Sequence, residues 1–332
     1  MSPSYDIEDD QRYQRPRRRT RPRTKDRPAH DDAAEGLVTT IDRGRYTLRL
    51  ADGDGVRTVL AMTARALGRK AVVVGDRVRV VGDVSGAGGS LARIVEVVPR
   101  VSALRRTADD DDPVERIIVA NADQLVIVTA VANPEPRPRL IDRALVAAYD
   151  EGLDPLLCLT KVDLADPETL LSTYRPLGVP FVVAPRGGDL DPLRERLRDR
   201  VSVFVGHSGV GKSTLVNALI PGAGRATGHV NEVTGRGRHT STSAYVLELP
   251  SGGWVVDTPG IRSFGLAHVD PRHLIGAFED LDALTVECPR GCTHATSEPE
   301  CALDEAIADS RIEPERVESF RRLLDSRESS ER

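Results

Sequence analysis

The sequence of 332 residues predicts a protein of several domains: a small β-barrel, a central α/β domain, and a short helical domain with a cysteine cluster. Three observations carry this prediction. Short β-type runs separated by Gly-rich turns fill residues 36–99. Apolar strands alternate with helical segments from residue 117 onward. Three of the four cysteines then fall within residues 288–301.

The composition is that of a globular protein, with 39% hydrophobic and 29% charged residues. The most apolar stretch, residues 117–132, is interrupted by Asn121, Asp123 and Gln124, and does not reach the ~20 apolar residues that span a membrane. The acidic first ten residues lack the apolar region of a secretory signal. Together with the sparse cysteines, these features predict a cytoplasmic protein with no membrane partner. We expect it to be a monomer.

Residues 1–35 are predicted to form a disordered basic tail. Although the whole chain has a formal net charge of −5, residues 11–28 hold eight Arg and one Lys against a single Asp. Low hydrophobicity and high charge disfavour a packed core. Two interpretations are open at this point: a solvated tail, or an arm that binds RNA through its phosphates.

Residues 36–99 are predicted to form a small barrel. The strand-like runs are 36–41, 45–50, 57–62, 77–81 and 91–98. Five short strands in about sixty residues are typical of an OB-fold, which often binds oligonucleotides. The net positive charge of this segment favours RNA, and the alternative is a structural barrel without a ligand. Residues 100–116 are charged and are predicted to be a linker.

Residues 117–268 show the βαβ pattern of a mostly parallel sheet with helices on both faces. The predicted strands are 124–130, 155–159, 181–184, 201–205 and 254–256, and the predicted helices are 139–151, 168–174, 191–200 and 212–219.

The strongest motif, Gly-His-Ser-Gly-Val-Gly-Lys-Ser at 206–213, matches G-x-x-x-x-G-K-[ST] and stands between a predicted strand and a predicted helix. Such a loop turns successive backbone N–H groups toward phosphate oxygens at a helix N-terminus. Lys212 is expected to bridge the β- and γ-phosphates, and the Ser213 hydroxyl to reach Mg²⁺. The residues predicted to bind nucleotide here are Gly206, His207, Ser208, Gly209, Val210, Gly211, Lys212, Ser213 and Thr214.

Two further segments fit a nucleotide site. Asp257-Thr-Pro-Gly260 follows an apolar strand, so Asp257 can hold Mg²⁺ through water and Gly260 can offer its N–H to a γ-phosphate. Between the two motifs lies a polar, Gly-rich stretch in which a hydroxyl could also reach Mg²⁺. Thr240 is the first choice and Thr242 the second, and the alternative is a plain polar loop.

The nucleotide is predicted to be GTP. In Thr160-Lys161-Val-Asp163, the Asp163 carboxylate can accept hydrogen bonds from guanine N1 and N2, whereas adenine would leave it unpaired. In ordinary GTPases the phosphate loop comes first and this guanine motif fourth, but here the guanine motif precedes the phosphate loop. The sequence therefore predicts a circularly permuted P-loop G domain.

Residues 269–332 are predicted to form a helical domain that binds one structural zinc ion. Cys288, Cys292, His294 and Cys301 provide three thiolates and one imidazole, a donor set that closes a tetrahedral Zn²⁺ site. The alternative, thiols that are merely buried, is less consistent with this spacing.

These motifs resemble those of the RsgA family (also called YjeQ) of bacterial GTPases that depend on the small ribosomal subunit. The resemblance covers about residues 36–325 and includes Gly-Arg-Gly-Arg-His-Thr at 235–240, Asn-Ala-Asp-Gln at 121–124 and Ile-Asp-Arg at 141–143. It implies that the OB-fold and the zinc domain flank the G domain and contact 16S rRNA. The family usually has Asn at the position of Thr160, and four residues instead of three between the first two cysteines.

The expected function is a GTPase that binds the 30S subunit, assists its late maturation, and hydrolyses GTP to GDP and phosphate faster when bound. Ile261 stands where many GTPases have a water-orienting Gln, so slow intrinsic hydrolysis is expected. His239 is the best local substitute, a position to which the resemblance also points, so the predicted catalytic residues are His239, Lys212 and Thr240. His207 is second to His239, and either histidine could be an incidental surface residue.

Two other functions are weighed against this one. A passive RNA-binding assembly factor would use GTP only to signal its state. A P-loop ATPase or nucleotide kinase would act on another substrate, but Asp163 argues against ATP, and no lid or second substrate motif is present.

Overall fold

The computed structural model describes residues 32–53, 55–65, 67, 72–107, 115–222, 244–258, 264, 266 and 269–328. Within these residues, one eleven-stranded sheet runs through a five-stranded barrel and a six-stranded open sheet. No helix in the described part of the chain is long and apolar enough to cross a membrane.

The strands are β1 (Ala34–Asp42), β2 (Arg45–Asp52), β3 (Gly55–Thr63), β4 (Arg77–Gly82), β5 (Ala92–Val97), β6 (Ala103–Thr107), β7 (Glu115–Ala120), β8 (Gln124–Ala130), β9 (Asp154–Thr160), β10 (Phe181–Ala184), β11 (Val201–Val205), β12 (Tyr245–Glu248) and β13 (Trp254–Asp257). The helices are α1 (Pro138–Asp150), α2 (Glu168–Tyr174), α3 (Asp191–Leu197), α4 (Lys212–Leu219), α5 (Pro271–Gly276), α6 (Glu279–Leu284), α7 (Ala302–Ala308) and α8 (Pro314–Glu328). Short 3₁₀ turns lie at Arg175–Leu177 and Thr285–Glu287.

The barrel closes because β1 pairs with β2 along one side and with β4 along the other. Alternate residues of each strand point inward, so that Tyr46, Leu48 and Leu50 of β2 are buried while the residues between them are more exposed. The predicted five-stranded barrel is confirmed.

The segment that the sequence analysis treats as a linker contains structure of its own. Strand β6 pairs with β7 in an antiparallel ribbon, and a bridge between Val74 and Val119 joins this ribbon to the end of the barrel. The charged sequence of residues 105–112 does not show this pairing, because Arg105 and Arg106 interrupt the apolar alternation.

The open sheet has the strand order β10-β9-β8-β11-β13-β12, in which only the edge strand β12 is antiparallel to its neighbour. The chain runs outward from β8 to β10 and then returns to place β11 on the other side of β8. The strand order therefore reverses between β8 and β11, and ligands bind at such a point in open α/β sheets.

Helices cover both faces of this sheet, which confirms the predicted α/β architecture. Successive residues of β8 enter opposite cores: Leu125 and Ile127 pack with α1, α2 and the C-terminal helices, while Val126 and Val128 pack with α3 and α4. The C-terminal helices share the first of these apolar clusters, so they are packed onto one face of the sheet.

Two arginines tie the last helix to α1. The Arg143 guanidinium of α1 donates to the Ser326 carbonyl oxygen of α8 at 3.0 Å and to the Phe264 carbonyl oxygen at 3.0 Å. Arg322 of α8 donates to Asp142, which is only 3% exposed. Burial raises the pKa of Asp142, and Arg322 opposes that rise. Residues 141–143, noted above only as a motif, therefore connect two distant parts of the chain.

The barrel meets the open sheet at a single strand pair, Thr40 of β1 with Tyr245 of β12. Arg49 of β2 supports this junction, because it forms an ion pair with Glu248 at 2.8 Å and lies over the Trp254 ring, 4.8 Å from the ring centroid.

Candidate functional site

The carboxyl ends of parallel strands β9, β10, β11 and β13 meet at one edge of the sheet, where they surround a cleft of about 950 Å³. Almost all residues that the sequence predicts to bind nucleotide line this cleft. They are Thr160, Lys161, Gly206, His207, Ser208, Gly209, Val210, Gly211, Lys212, Ser213, Thr214 and Asp257. The sheet therefore brings together segments that are up to 97 residues apart in sequence.

The phosphate loop joins β11 to α4 in a path that two glycines permit. A Cβ atom on Gly206 would lie 2.4 Å from the Val128 carbonyl oxygen, so a larger residue would push the loop off β8. Gly211 caps α4 with a φ of 95°, a left-handed conformation that glycine adopts at little cost. Lys212 and Ser213 then begin α4, whose N-terminus faces the cleft.

Lys212, Asp257 and Tyr245 form a linked group at the floor of the cleft. The Lys212 ammonium forms an ion pair with Asp257 Oδ1, and both side chains are largely buried. The Tyr245 hydroxyl donates to Asp257 Oδ2 at 2.6 Å. Burial, and secondarily this hydrogen bond, raises the pKa of Tyr245, which keeps the phenol protonated. Any anion that pairs with the Lys212 ammonium therefore has to compete with Asp257.

Thr160 connects the guanine motif to the phosphate loop. Its hydroxyl lies 2.6 Å from the Val210 carbonyl oxygen and 3.2 Å from the Thr129 carbonyl oxygen, and the side chain is buried. The Lys161 ammonium donates to the Asn133 carbonyl oxygen in the segment after β8. The short threonine thus makes a direct contact between the end of β9 and the phosphate loop.

Asp163 lies in the exposed turn after Lys161 and is not among the residues that line the cleft. The cleft also contains residues that the motifs do not include. The loop after β10, residues 185–188, lines it together with Arg194 and Tyr245. Adjacency of β10 to β9 would have indicated this loop, since both strands end at the same edge.

Several predicted residues lie outside the described part of the chain: His239, Thr240, Thr242, Gly260 and Ile261. His207 is described and is only 9% exposed. Its Nδ1 lies 3.0 Å from the Ser208 carbonyl oxygen, and its Nε2 has no hydrogen-bond partner among the described residues. It lines the cleft and also a small cavity that includes Phe264.

A second site is formed by the cysteines and histidine near the C-terminal helices. One ligand atom from each of Cys288, Cys292, His294 and Cys301 lies within 4.8 Å of the others, so the group could hold a metal ion. The three sulfur atoms lie 3.6, 3.5 and 3.9 Å from the same atom, His294 Nδ1. In a tetrahedral site with Zn–S of about 2.3 Å and Zn–N of about 2.0 Å, sulfur and nitrogen would be about 3.6 Å apart. The donor set and its spacing therefore fit such an ion.

The surroundings of this cluster favour ligation. Burial lowers the pKa of His294 and so favours the neutral imidazole that a metal ligand requires. Arg321 of α8 donates from Nε to the His294 carbonyl oxygen at 3.1 Å. Its two terminal nitrogens donate to the two Asp304 carboxylate oxygens at 2.7 and 2.8 Å. The sequence motif does not include Arg321, which lies twenty residues beyond Cys301.

The fourth cysteine is unlike these three. Cys158 is fully buried in β9, and burial raises the pKa of its thiol to about 12. It is an apolar core residue, as the sequence predicts.

Comparison with known proteins identifies the family to which the chain is similar. The family model RsgA GTPase matches residues 97–267. A small ribosomal subunit biogenesis GTPase RsgA from Chlorobaculum parvum is 38% identical over 310 residues, which cover 89% of this chain and 99% of the relative. The protein of the same name from Ectopseudomonas mendocina is 46% identical over 242 residues, or 70% of this chain and 69% of the relative.

Two solved structures share the fold. The crystal structure of YjeQ from Thermotoga maritima has a TM-score of 0.65 and 28% sequence identity, and the match covers 89% of this chain and 99% of that one. The structure of YloQ, described as a circularly permuted GTPase, has a TM-score of 0.63 at 24% identity and covers 92% and 99%. The family model, the relatives matched along most of their length and the permuted order of the cleft motifs agree: this chain is a GTPase that belongs to the RsgA family.

Proposed function

We propose that the protein binds the small (30S) ribosomal subunit, assists its late maturation, and hydrolyses GTP to GDP and phosphate with stimulation by the subunit. The observation that carries this proposal is the cleft in which the phosphate loop, Thr160 and Asp257 meet. The names of the relatives, which describe small ribosomal subunit biogenesis, support the choice of partner.

In this proposal GTP lies in the cleft with its phosphates on the backbone N–H groups of the phosphate loop. Lys212 exchanges Asp257 for the β- and γ-phosphates, and Asp163 accepts hydrogen bonds from the guanine. Ser213, Asp257 and Thr240 would hold Mg²⁺, which neutralises phosphate charge when it is bound. Lys161 and Gly260 are the remaining residues proposed to bind the nucleotide. The position of Lys212 beside Asp257 supports this assignment, because one short movement of the ammonium frees the carboxylate.

For hydrolysis we propose that His239 orients the attacking water when the subunit reshapes its loop. Ile261 cannot do so, since an alkyl side chain neither donates nor accepts a hydrogen bond. His207 is the less favoured alternative, because its imidazole is nine-tenths buried.

The cysteine cluster is proposed to hold a structural Zn²⁺. Three thiolates and one imidazole fill all four tetrahedral positions, which leaves none for a substrate or a reactive water. The barrel, the basic tail and the metal-binding region are proposed to contact 16S rRNA. Cytoplasmic location and a monomeric state remain our predictions.

The test is GTP turnover with and without purified 30S subunits, measured for the wild type, His239→Ala and Lys212→Ala. We expect the wild type to be slow alone and at least tenfold faster with subunits. Lys212→Ala should bind GTP about 100-fold more weakly, since removal of one member of a buried charge pair costs about 2–5 kcal/mol. His239→Ala should bind GTP normally but lose the stimulation, and wild-type turnover in that variant would exclude the role of His239.

The same assay separates the alternatives. A passive assembly factor would bind GTP and 30S subunits without faster turnover. An ATPase would prefer ATP, so competition between the two nucleotides for the cleft tests that function directly.

A further inference from the structure

Tyr245 occupies a position that none of the sequence motifs includes. It is the first residue of β12 and pairs across the strands with Asp257, the last residue of β13. Directly paired residues of antiparallel strands place their side chains on the same face of the sheet, close together. The Tyr245 hydroxyl uses this proximity to donate to Asp257 Oδ2 at 2.6 Å, and the tyrosine also lines the cleft.

The two oxygens of Asp257 have different partners. Oδ1 accepts from Lys212, and Oδ2 accepts from Tyr245. The carboxylate is 4% exposed, so water does little to fix its orientation. When phosphates draw Lys212 away, the phenol is the partner of Asp257 that stays in place, because the strand pairing holds it there.

We propose that Tyr245 is a positioning residue that orients Asp257 toward Mg²⁺ and thereby sets how much free Mg²⁺ the protein needs to retain its nucleotide. The inference rests on the proposed role of Asp257 in the nucleotide site. Removing a group that forms a hydrogen bond to a metal-binding side chain commonly weakens metal binding by about 10–100-fold.

A purely structural role makes a different prediction. If Tyr245 served only the fold, through its ring and its backbone pairing with Asp257 and Thr40, phenylalanine would preserve that role. Tyr245→Phe therefore removes only the hydroxyl. If the ring were all that matters, this variant would behave as the wild type.

The experiment measures release of a fluorescent GDP analogue from preloaded protein across free Mg²⁺ concentrations set with a chelator. In Tyr245→Phe, we expect the Mg²⁺ concentration for half-maximal retention to rise about 10-fold, while release in excess chelator stays within about twofold of the wild type. Tyr174→Phe, which removes another buried hydroxyl far from the cleft, should leave the midpoint unchanged. An unchanged midpoint in Tyr245→Phe overturns the inference, as does equally faster release with and without Mg²⁺.

Asp257→Asn distinguishes failure of this inference from failure of the proposed function. We expect this variant to lose most of the Mg²⁺ dependence. If Asp257→Asn retains the wild-type dependence, the proposed role of Asp257 is wrong and the inference falls with it. If Asp257→Asn loses the dependence while Tyr245→Phe does not shift it, only the role of Tyr245 is wrong.

Discussion

The nucleotide cleft and the cysteine cluster are assembled in opposite ways. The cleft collects side chains from strand ends between residues 160 and 257, and two of its charged groups, Lys212 and Asp257, already pair with each other. The cluster takes its ligand atoms from residues 288–301, and those atoms face one another. A ligand that binds Lys212 must therefore displace Asp257. A cation in the cluster would instead give the four ligand atoms a positive charge to bind.

The two sites are therefore expected to respond differently when their ligands are removed. The cleft can remain folded without nucleotide, because its sheet, its ion pair and its hydrogen bonds persist. His294 and Cys301 are buried, and burial raises the pKa of Cys292 to about 12, so binding of a cation must also remove protons. We expect loss of the cation to unfold its surroundings, and loss of nucleotide to leave the fold intact.

The largest effect should come from Cys301→Ser, which removes a ligand that is 1% exposed. We expect bound metal to fall from about one ion per chain to nearly none, and the midpoint of thermal unfolding to fall by about 10 °C or more. Nucleotide affinity should change by less than about threefold. Metal analysis, calorimetry and nucleotide titration test this. Cys158→Ala, which removes a buried thiol outside the cluster, should keep its metal.

A smaller effect on metal binding is expected from a change at Arg321, which donates to the His294 carbonyl oxygen. Arg321→Lys cannot hold the His294 carbonyl and both Asp304 oxygens together, so metal affinity should fall about 10-fold in competition with a chelator. The matched control is Arg322→Lys, the next residue of α8, which contacts Asp142 and not the cluster. Equal losses in the two variants would mean that Arg321 acts only through the general stability of α8.

Within the cleft, Thr160→Val should weaken GDP binding about 5–10-fold. The valine preserves shape but leaves the buried Val210 carbonyl without its hydrogen bond, at a cost of about 1–3 kcal/mol. Thr160→Ser keeps the hydroxyl and should bind within about twofold of the wild type. Calorimetric titration measures both, and equal weakening in the two variants would assign the effect to the lost methyl group.

The smallest effect concerns α5, which lies in the chain between Asp257 and the cysteine cluster. Asp270 caps α5, and its hydrogen bonds from Arg272 lower the pKa of Asp270 to about 2. Because the pKa is lower in the folded state, the stabilisation is present above about pH 4 and is lost as pH falls toward 2. The difference in unfolding midpoint between the wild type and Asp270→Asn should therefore shrink from pH 5 to pH 3. A constant difference would contradict this.

Much of both sites is predictable from sequence, because their chemistry is carried by short motifs. The phosphate loop is one eight-residue segment between a strand and a helix, and the cluster has the spacing of a zinc site. The strands of the barrel and open sheet follow from their β-rich, apolar composition. Strand β12 is less evident, since four mixed residues at a sheet edge carry little pattern.

The remaining contacts depend on register and on long-range packing. Tyr245 meets Asp257 only because β12 and β13 pair at that position, and Arg321 meets His294 only because α8 folds back over the cluster. The contact of Thr160 with the phosphate loop likewise depends on the packing of the end of β9 against that loop. A single sequence does not show such pairings.

The hydrogen bond between Arg143 and Ser326 spans 183 positions of the chain. During synthesis at about 5–20 residues per second, roughly 10 to 40 s pass between the appearance of these two residues. For that time Asp142 lacks Arg322, its charged partner on α8, and burying the carboxylate without it would be unfavourable. The nascent central domain should therefore stay open on this face until α8 has been made, so its folding is timed by translation of the C-terminal region.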